Sequence, residues 1–350
     1  MTLNTRKPTG AVPWPLILIE GSEKSGKSYA AAMLSVSPKV GRTVWLDLNE
    51  GAADEYGAIK GVRYEVIEHD GTWPSIIGQV TAAKEAAEKA VANGDKPLAL
   101  VVDSMTAEWD LLKTWAESRA KLTDFNKKKL RENPNAEIDV SMNFWNDANS
   151  RHRKLMLLLM TFPGIVVMTA RGKDVAALDK NGRPVPNTKE YKVEGNKNLA
   201  FDASCWIRMF RDKPAIMVGA RSVNVGVRPG KDDPLNLDPD WSLEGVIFNL
   251  LKCDPSNTHV RDLAEMQAQR TPEQIRDEAL ETTTAFDRIR ELHAEARELQ
   301  YQGITLENEN GDEEQLLGLL FRVGEERKPK PADAQRKLAS VPAEASGRAS

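Results

Sequence analysis

Gly21-Ser22-Glu23-Lys24-Ser25-Gly26-Lys27-Ser28 follows the apolar run Leu16 to Ile19 and leads into the helix-like stretch Tyr29-Ala30-Ala31-Ala32-Met33-Leu34. An apolar strand, then GxxxxGK[ST], then a helix is the order found in loops that cradle phosphate. Gly21 and Gly26 let the backbone turn until its N–H groups face an anion, and a helix starting near Lys27 adds its positive dipole end. Lys27 is placed to meet the β- and γ-phosphates of a nucleotide, and the Ser28 hydroxyl to ligate the Mg²⁺ between them. Ser22, Glu23, Lys24 and Ser25 inside the loop, with Tyr29 just after it, complete the candidate nucleotide contacts. Four fixed positions in this context are too specific for an ordinary Gly/Ser turn.

Working outward, Thr43 to Leu48 reads as a buried second strand ending in Asn49-Glu50-Gly51. A carboxylate just past the C-terminal end of a parallel strand lies on the face where open α/β sheets bind ligands. Glu50 is therefore the candidate for polarising an attacking water, with Asp47 as the alternative. Leu98-Ala99-Leu100-Val101-Val102-Asp103-Ser104 is an unbroken apolar run with an acid at its tip. That is the form of a Walker B strand, buried on both faces, whose carboxylate Asp103 would hold the Mg²⁺ shell. Ile165 to Thr169 is a further strand, and Thr169 and Arg171 at its tip are candidate sensors of the γ-phosphate.

Between these strands, Trp73 to Ala92, Thr106 to Lys121 and Phe144 to Met160 show helical periodicity, and Val62 to Glu68 a short strand. From Gly172 to Asn198 periodicity is lost, which predicts a functional or mobile loop. Arg171 to Asn198 holds seven basic and four acidic residues, a local +3. Lys173, Lys180 and Lys189 within it are the candidate contacts to a phosphate backbone. Arg119 to Arg131 carries six basic residues against Asp124 alone, either a solvated face or a second phosphate-binding patch. Phe201 to Phe210 and Ala215 to Val227 read as paired strands, and Trp241 to Leu251 as a short helix. After Thr271-Pro272-Glu273 a charged helix is expected to about Gln300, then a smaller unit with Leu316, Leu317, Leu319, Leu320 and Phe321 as its apolar stripe. This divides the chain into an arm (1–13), an α/β core (14–262), a helical extension (271–325) and a disordered tail (326–350).

Composition bounds the rest. A chain of 350 residues with 29% charged and 41% hydrophobic residues can bury a large core and is expected to be soluble. It has no run of about 18 apolar residues and no signal-peptide pattern, so no membrane role is expected and the cytoplasm is the default compartment. Cys205 and Cys253 form neither a CxxC nor a ligand spacing, and His69, His152, His259 and His293 are scattered, which argues against a zinc site or a disulfide framework. Residues 271–350 hold 17 acidic and 11 basic residues, a net −6, so the first 270 residues carry +2 of the total of −4.

Four stretches, GSEKSGKS at Gly21, WLDLNEGAADEY at Trp45, LALVVDSMT at Leu98 and EGNKNLAFDASCWIRMF at Glu194, resemble the RecA-like core P-loop ATPases, in particular the compact single-strand annealing recombinases and related ATPases of tailed phages. The resemblance implies a RecA-like core with a mostly parallel central sheet flanked by helices, ATP and Mg²⁺ as ligands, homo-oligomers and, if phage-encoded, the host cytoplasm. It implies that Asp54 and Tyr56 lie near the adenine, that Glu50 is the catalytic carboxylate, that Gly172 to Lys192 is a DNA-contacting loop, and that a Gly-Asn turn at 195–196 leads into a helix and the next strand. In RecA the acid follows the strand aspartate by two residues, where this chain has Asn49, so the choice of base stays open. The function expected is ATP-driven annealing or strand exchange on single-stranded DNA. The alternative is an ATP-dependent switch or loader that binds a replication or packaging protein through its acidic C-terminal region. A small-molecule kinase is disfavoured by the lack of a lid segment with catalytic arginines.

Overall fold

The computed structural model describes residues 3, 5–180, 182–225, 233–256, 258–261, 263 and 270–328. The chain divides into two compact units, 1–263 and 264–350. In the first, the elements run β1 (Leu16–Gly21), α1 (Lys27–Leu34), β2 (Thr43–Asp47), α2 (Ala52–Tyr56), β3 (Tyr64–Val66), α3 (Trp73–Asn93), β4 (Ala99–Asp103), α4 (Met105–Lys121), α5 (Asp124–Glu132), α6 (Met142–Met160), β5 (Ile165–Leu178), β6 (Pro184–Glu194), α7 (Leu199–Asp202), β7 (Cys205–Met209), β8 (Ile216–Ala220) and β9 (Leu235–Asn236). Among the described residues these strands form one nine-stranded sheet in the order β3-β2-β4-β5-β1-β7-β8-β9, with β6 paired to β5. From β3 to β7 every pairing along that path is parallel, and β8, β9 and β6 join antiparallel. The expected α/β, P-loop core is present.

The apolar strands are continuous in sequence because the sheet is covered on both faces, and their period of two divides each strand between the two layers. Ile17, Ile19, Trp45, Val101, Val167 and Ile207 face α1 and the π-helical segment Gly245–Leu250. Leu16, Leu18, Leu46, Leu100, Val102 and Met168 face α3 and α6. Parallel strands present their C-terminal ends on one edge, so the segments after β1, β2 and β4 meet there with residues 169–173 of β5, where that strand leaves the covered sheet.

Two expectations about this unit are corrected. The stretch from Gly172 is not a structureless loop: β5 continues to Leu178, turns, and returns as β6, with Arg171 opposite Glu194 and Asp174 opposite Tyr191. Beyond Ala170 this ribbon leaves the covered sheet and most of its residues are exposed, so it lacks the alternation that burial on one face imposes. Phe201 is not in a strand but in α7, with its side chain exposed, and the strand starts at Cys205. The helix implied by the family resemblance is the reading that matches.

The second unit packs α8 (Pro272–Leu280), α9 (Phe286–Glu298), the hairpin β10 (Thr305–Glu307) and β11 (Glu313–Gln315), and α10 (Leu316–Glu326) around Ile275, Ile289, Leu292, Leu316, Leu319, Leu320 and Val323. The charged helix expected to run unbroken to Gln300 is two helices. Glu281 leaves helical geometry as the C-cap of α8, and the Thr284 hydroxyl donates to the Glu278 carbonyl. Three β-branched threonines, Thr282 to Thr284, favour such a break. Phe321, expected in the apolar stripe, is exposed, because the buried face of α10 follows 316, 319, 320 and 323. The expected disordered tail lies outside the described residues from 329 onward.

Candidate functional site

The phosphate loop connects β1 to α1. An added Cβ at Gly21 would stand 2.2 Å from the Met209 carbonyl oxygen, and Gly26 holds φ of 92°, so both positions require glycine. Lys27 bends back over the loop, where its Nζ donates to the carbonyls of Gly21 at 3.0 Å and Ser22 at 2.8 Å. Burial draws its ammonium pKa down, against the pull of Asp103, Glu50 and Glu20.

A cleft of about 540 Å³ opens along the edge of the sheet. Glu23, Lys24, Ser25, Gly26, Lys27 and Ser28 line it from the loop, Glu50 and Tyr56 from the segment after β2, Asp103 from β4, and Thr169, Arg171 and Lys173 from β5. Of the expected site residues, Gly21 and Ser22 form the start of the loop without facing this cleft. Tyr29 is half-exposed and packs edge-on against Tyr56, with ring centroids 6.1 Å apart. Asp54 is exposed on α2 and does not line the cleft, whereas its neighbour Glu55 does.

The two candidate bases have different surroundings. Asp47 accepts from the backbone N–H groups of Glu50 at 2.8 Å and Gly51 at 3.1 Å, which fixes the turn through Asn49 at φ 66°. Glu50 is thereby presented to the cleft. Its Oε1 accepts from Ser104 Oγ at 2.7 Å and pairs with Arg171 Nη2 at 3.0 Å. Ser104 also caps α4, and Arg171 is anchored through its backbone N–H to the Thr106 hydroxyl at 2.9 Å. The ends of β2 and β4 and the middle of β5 thus meet at one carboxylate.

Asp103 is 2% exposed and accepts a hydrogen bond from the Thr169 hydroxyl, with Ser28 lining the same cleft beside it. Its Oδ2 is buried without a partner. An orphaned carboxylate oxygen beside a serine hydroxyl is a hard-oxygen donor set that fits Mg²⁺, which takes one or two protein ligands and completes its shell with phosphate and water. Burial raises the Asp103 pKa, with Glu50 and Asp47 adding to the effect and the two hydroxyls opposing it. A carboxyl whose pKa is raised by folding contributes stability below its unfolded pKa and loses that contribution as pH rises through the folded value. Asp103→Asn should therefore raise the melting temperature of the nucleotide-free protein at neutral pH, with the gain shrinking towards acid. Melting curves at several pH values check it.

Beneath the loop, Glu20 is fully buried in β1 and is held by Arg208 Nε at 2.5 Å and Trp206 Nε1 at 3.1 Å. The Arg208 guanidinium lies 4.1 Å from the centroid of the Tyr191 ring on β6. Burial and the adjacent Glu20 carboxylate push the Tyr191 phenol upward. This cluster ties the β5–β6 ribbon to the strand that carries the loop. The sequence signal for it was an acid directly between the apolar run Leu16 to Ile19 and the glycine that opens the loop.

The three lysines expected to contact DNA are spread along the ribbon. Lys173, at its base, lines the cleft and pairs with Glu194. Lys189 is 3.9 Å from Asp174, and Lys180 lies exposed at the tip. Among the described residues no group of three His, Cys, Asp or Glu side chains could hold a metal ion, and no helix is long and apolar enough to cross a membrane.

The AAA domain family (AAA_24) matches residues 15–209, more than half of the chain. Solved structures similar to it include an ATPase of the type III secretion system of pathogenic bacteria, at 17% identity over 58% of this chain and 55% of that one, with a TM-score of 0.35. Another is the RadB recombinase, at 14% identity over 60% of this chain and 83% of that one, with a TM-score of 0.33. The chain thus spans about half the length of the secretion ATPase. No curated protein matches the sequence.

Proposed function

The chain belongs to the AAA domain family, and from that premise we propose that it binds and hydrolyses ATP and acts as a cytoplasmic oligomer on single-stranded DNA, in annealing or strand exchange. The observation that carries the hydrolytic part is the convergence of Lys27, Asp103 and Glu50 on one cleft, with Glu50 held between Ser104 and Arg171. Ser28 and Asp103 would hold Mg²⁺, which would supply charge neutralisation for the phosphates. Lys27 adds a fixed positive charge against the transferred phosphoryl group, and Glu50 orients and deprotonates the attacking water. Arg171 is bonded to that base and lies in the same cleft, so it is the residue through which the γ-phosphate would be sensed.

The β5–β6 ribbon supports the DNA part. It extends from the nucleotide cleft, carries a net positive charge, and is tied to the phosphate-loop strand through Tyr191 and the Glu20–Arg208 pair. Lysines that bind phosphate release counterions, so affinity must fall as salt rises. With Lys173 and Lys189 already engaged by Glu194 and Asp174, binding by a single subunit is weak, and several ribbons must line one strand to hold it. Neutralising Lys173, Lys180 and Lys189 together should lower both the affinity for a single-stranded oligonucleotide and the slope of that affinity with salt. Identical salt titrations for wild type and the triple variant would remove the ribbon from the DNA site. Absence of wild-type binding at low salt would favour the other reading, an ATP-dependent switch or loader for a protein partner. The second unit favours that reading through its charge, fifteen acidic against eight basic residues over 270–328.

A further inference from the structure

The face of the second unit between α9 and α10 holds a groove of about 370 Å³. Phe286, Ile289 and His293 line it from α9, and Leu320, Phe321 and Gly324 from α10. Arg327, just past α10, donates to the carbonyls of Glu281 and Thr284 ahead of α9, so the two helices run antiparallel. Phe321 stands at the rim of the groove and is 65% exposed. Gly318, one turn before it on α10, offers no side chain to cover that flank of the ring. The charges of the groove are divided by end. Glu325 lines the end near the start of α9, where its carboxylate meets Lys328 in an exposed i,i+3 pair that contributes little. Arg297 lies one turn beyond His293 at the other end. Burial and that guanidinium draw the His293 pKa down, so at neutral pH His293 enters the groove as an uncharged ring.

We propose that this face is an interface between two copies of the chain related by a two-fold axis, with Phe321 of each copy seated in the groove of the other. A second copy is favoured over other occupants because the face is complementary to itself. A two-fold axis brings one patch against the same patch turned end for end. A protruding ring beside its own groove is then matched on both sides. The end that carries Glu325 comes against the end that carries Arg297, so both charges gain an opposite partner. The centre of the patch, with Phe286, Arg290 and Phe321, has the aromatic and arginine content of the middle of protein interfaces. The proposal goes beyond the nucleotide site and uses none of its residues.

Sedimentation of the 350-residue chain without nucleotide or DNA tests it. Wild type is expected to associate through this face, and Phe321→Glu to weaken that association by about tenfold or more, the loss typical of a central aromatic anchor. Position 321 is exposed, so the melting curve of that variant should match wild type. Charge reversal then tests the geometry. Glu325→Arg and Arg297→Glu each place like charges at both ends of a homodimer, and each alone is expected to associate more weakly than wild type. Mixed in equal amounts, the two variants restore an opposite pair at both ends, and association should recover to the wild-type level. Contacts within one chain cannot produce that recovery. The proposal is overturned if wild type stays monomeric at about 100 μM, where an interface of micromolar Kd is mostly formed. It is also overturned if Phe321→Glu associates as wild type does, or if the mixture associates no better than its components. A monomeric wild type would leave the groove to a partner of different sequence.

Discussion

Lys27→Ala is expected to reduce ATP hydrolysis by roughly 10²- to 10³-fold, to background, and to weaken nucleotide binding, while the fold survives. In the proposed site Lys27 is the cation of the loop that would meet the phosphates. Of the other positive groups lining the cleft, Arg171 is paired with Glu50 and Lys173 with Glu194, and Lys24 is exposed on the loop. The ammonium is disfavoured by burial in the nucleotide-free protein, and alanine is the best helix former at the first residue of α1. Melting temperature should therefore hold or rise as activity disappears. Steady-state turnover and a melting curve on the same preparation check both halves, and unchanged turnover would sink the nucleotide reading outright.

Glu50→Gln separates binding from chemistry. Glutamine keeps an oxygen that can accept from Ser104 and Arg171, so the geometry at the cleft is retained, but it cannot take a proton from water. ATP affinity should stay near wild type and hydrolysis should fall about a hundredfold or more. Asp47→Asn gives a different result, because Asp47 acts on the backbone: its carboxylate fixes the turn that presents Glu50. Weakening those bonds should lower the melting temperature and mis-set Glu50. A larger loss of turnover in Asp47→Asn than in Glu50→Gln, with an unchanged melting temperature, would transfer the role of base to Asp47.

What the sequence made legible follows from burial. The strands from Leu16, Thr43, Leu98 and Ile165 stand out as apolar runs because a parallel sheet covered on both faces leaves few positions for polar residues, and those it holds, such as Glu20, Asp103 and Thr169, sit towards the C-terminal edge that carries the site. The loop is legible because Gly21 and Gly26 have no substitute in it. The ribbon was missed because both its faces meet solvent. The Asn181-Gly182 pair, a hairpin signal between its two arms, was the available cue. The partners of Glu50 could not be read locally, since Ser104 lies 54 residues away and Arg171 lies 121 away, and only the strand order brings them together. The same holds for Glu20 and Arg208, 188 residues apart and on neighbouring strands. In the second unit the break between α8 and α9 was written as three consecutive threonines inside a charged helical pattern, a signal weaker than proline or glycine.

The most direct measurement is phosphate release from ATP by the 350-residue chain with Mg²⁺, with and without a single-stranded oligonucleotide, using Lys27→Ala as the blank. The expected result is Mg²⁺-dependent turnover above the blank that rises further when the oligonucleotide is added. Release no faster than the Lys27→Ala blank under both conditions would contradict an ATP-hydrolysing site built from Lys27, Glu50 and Asp103.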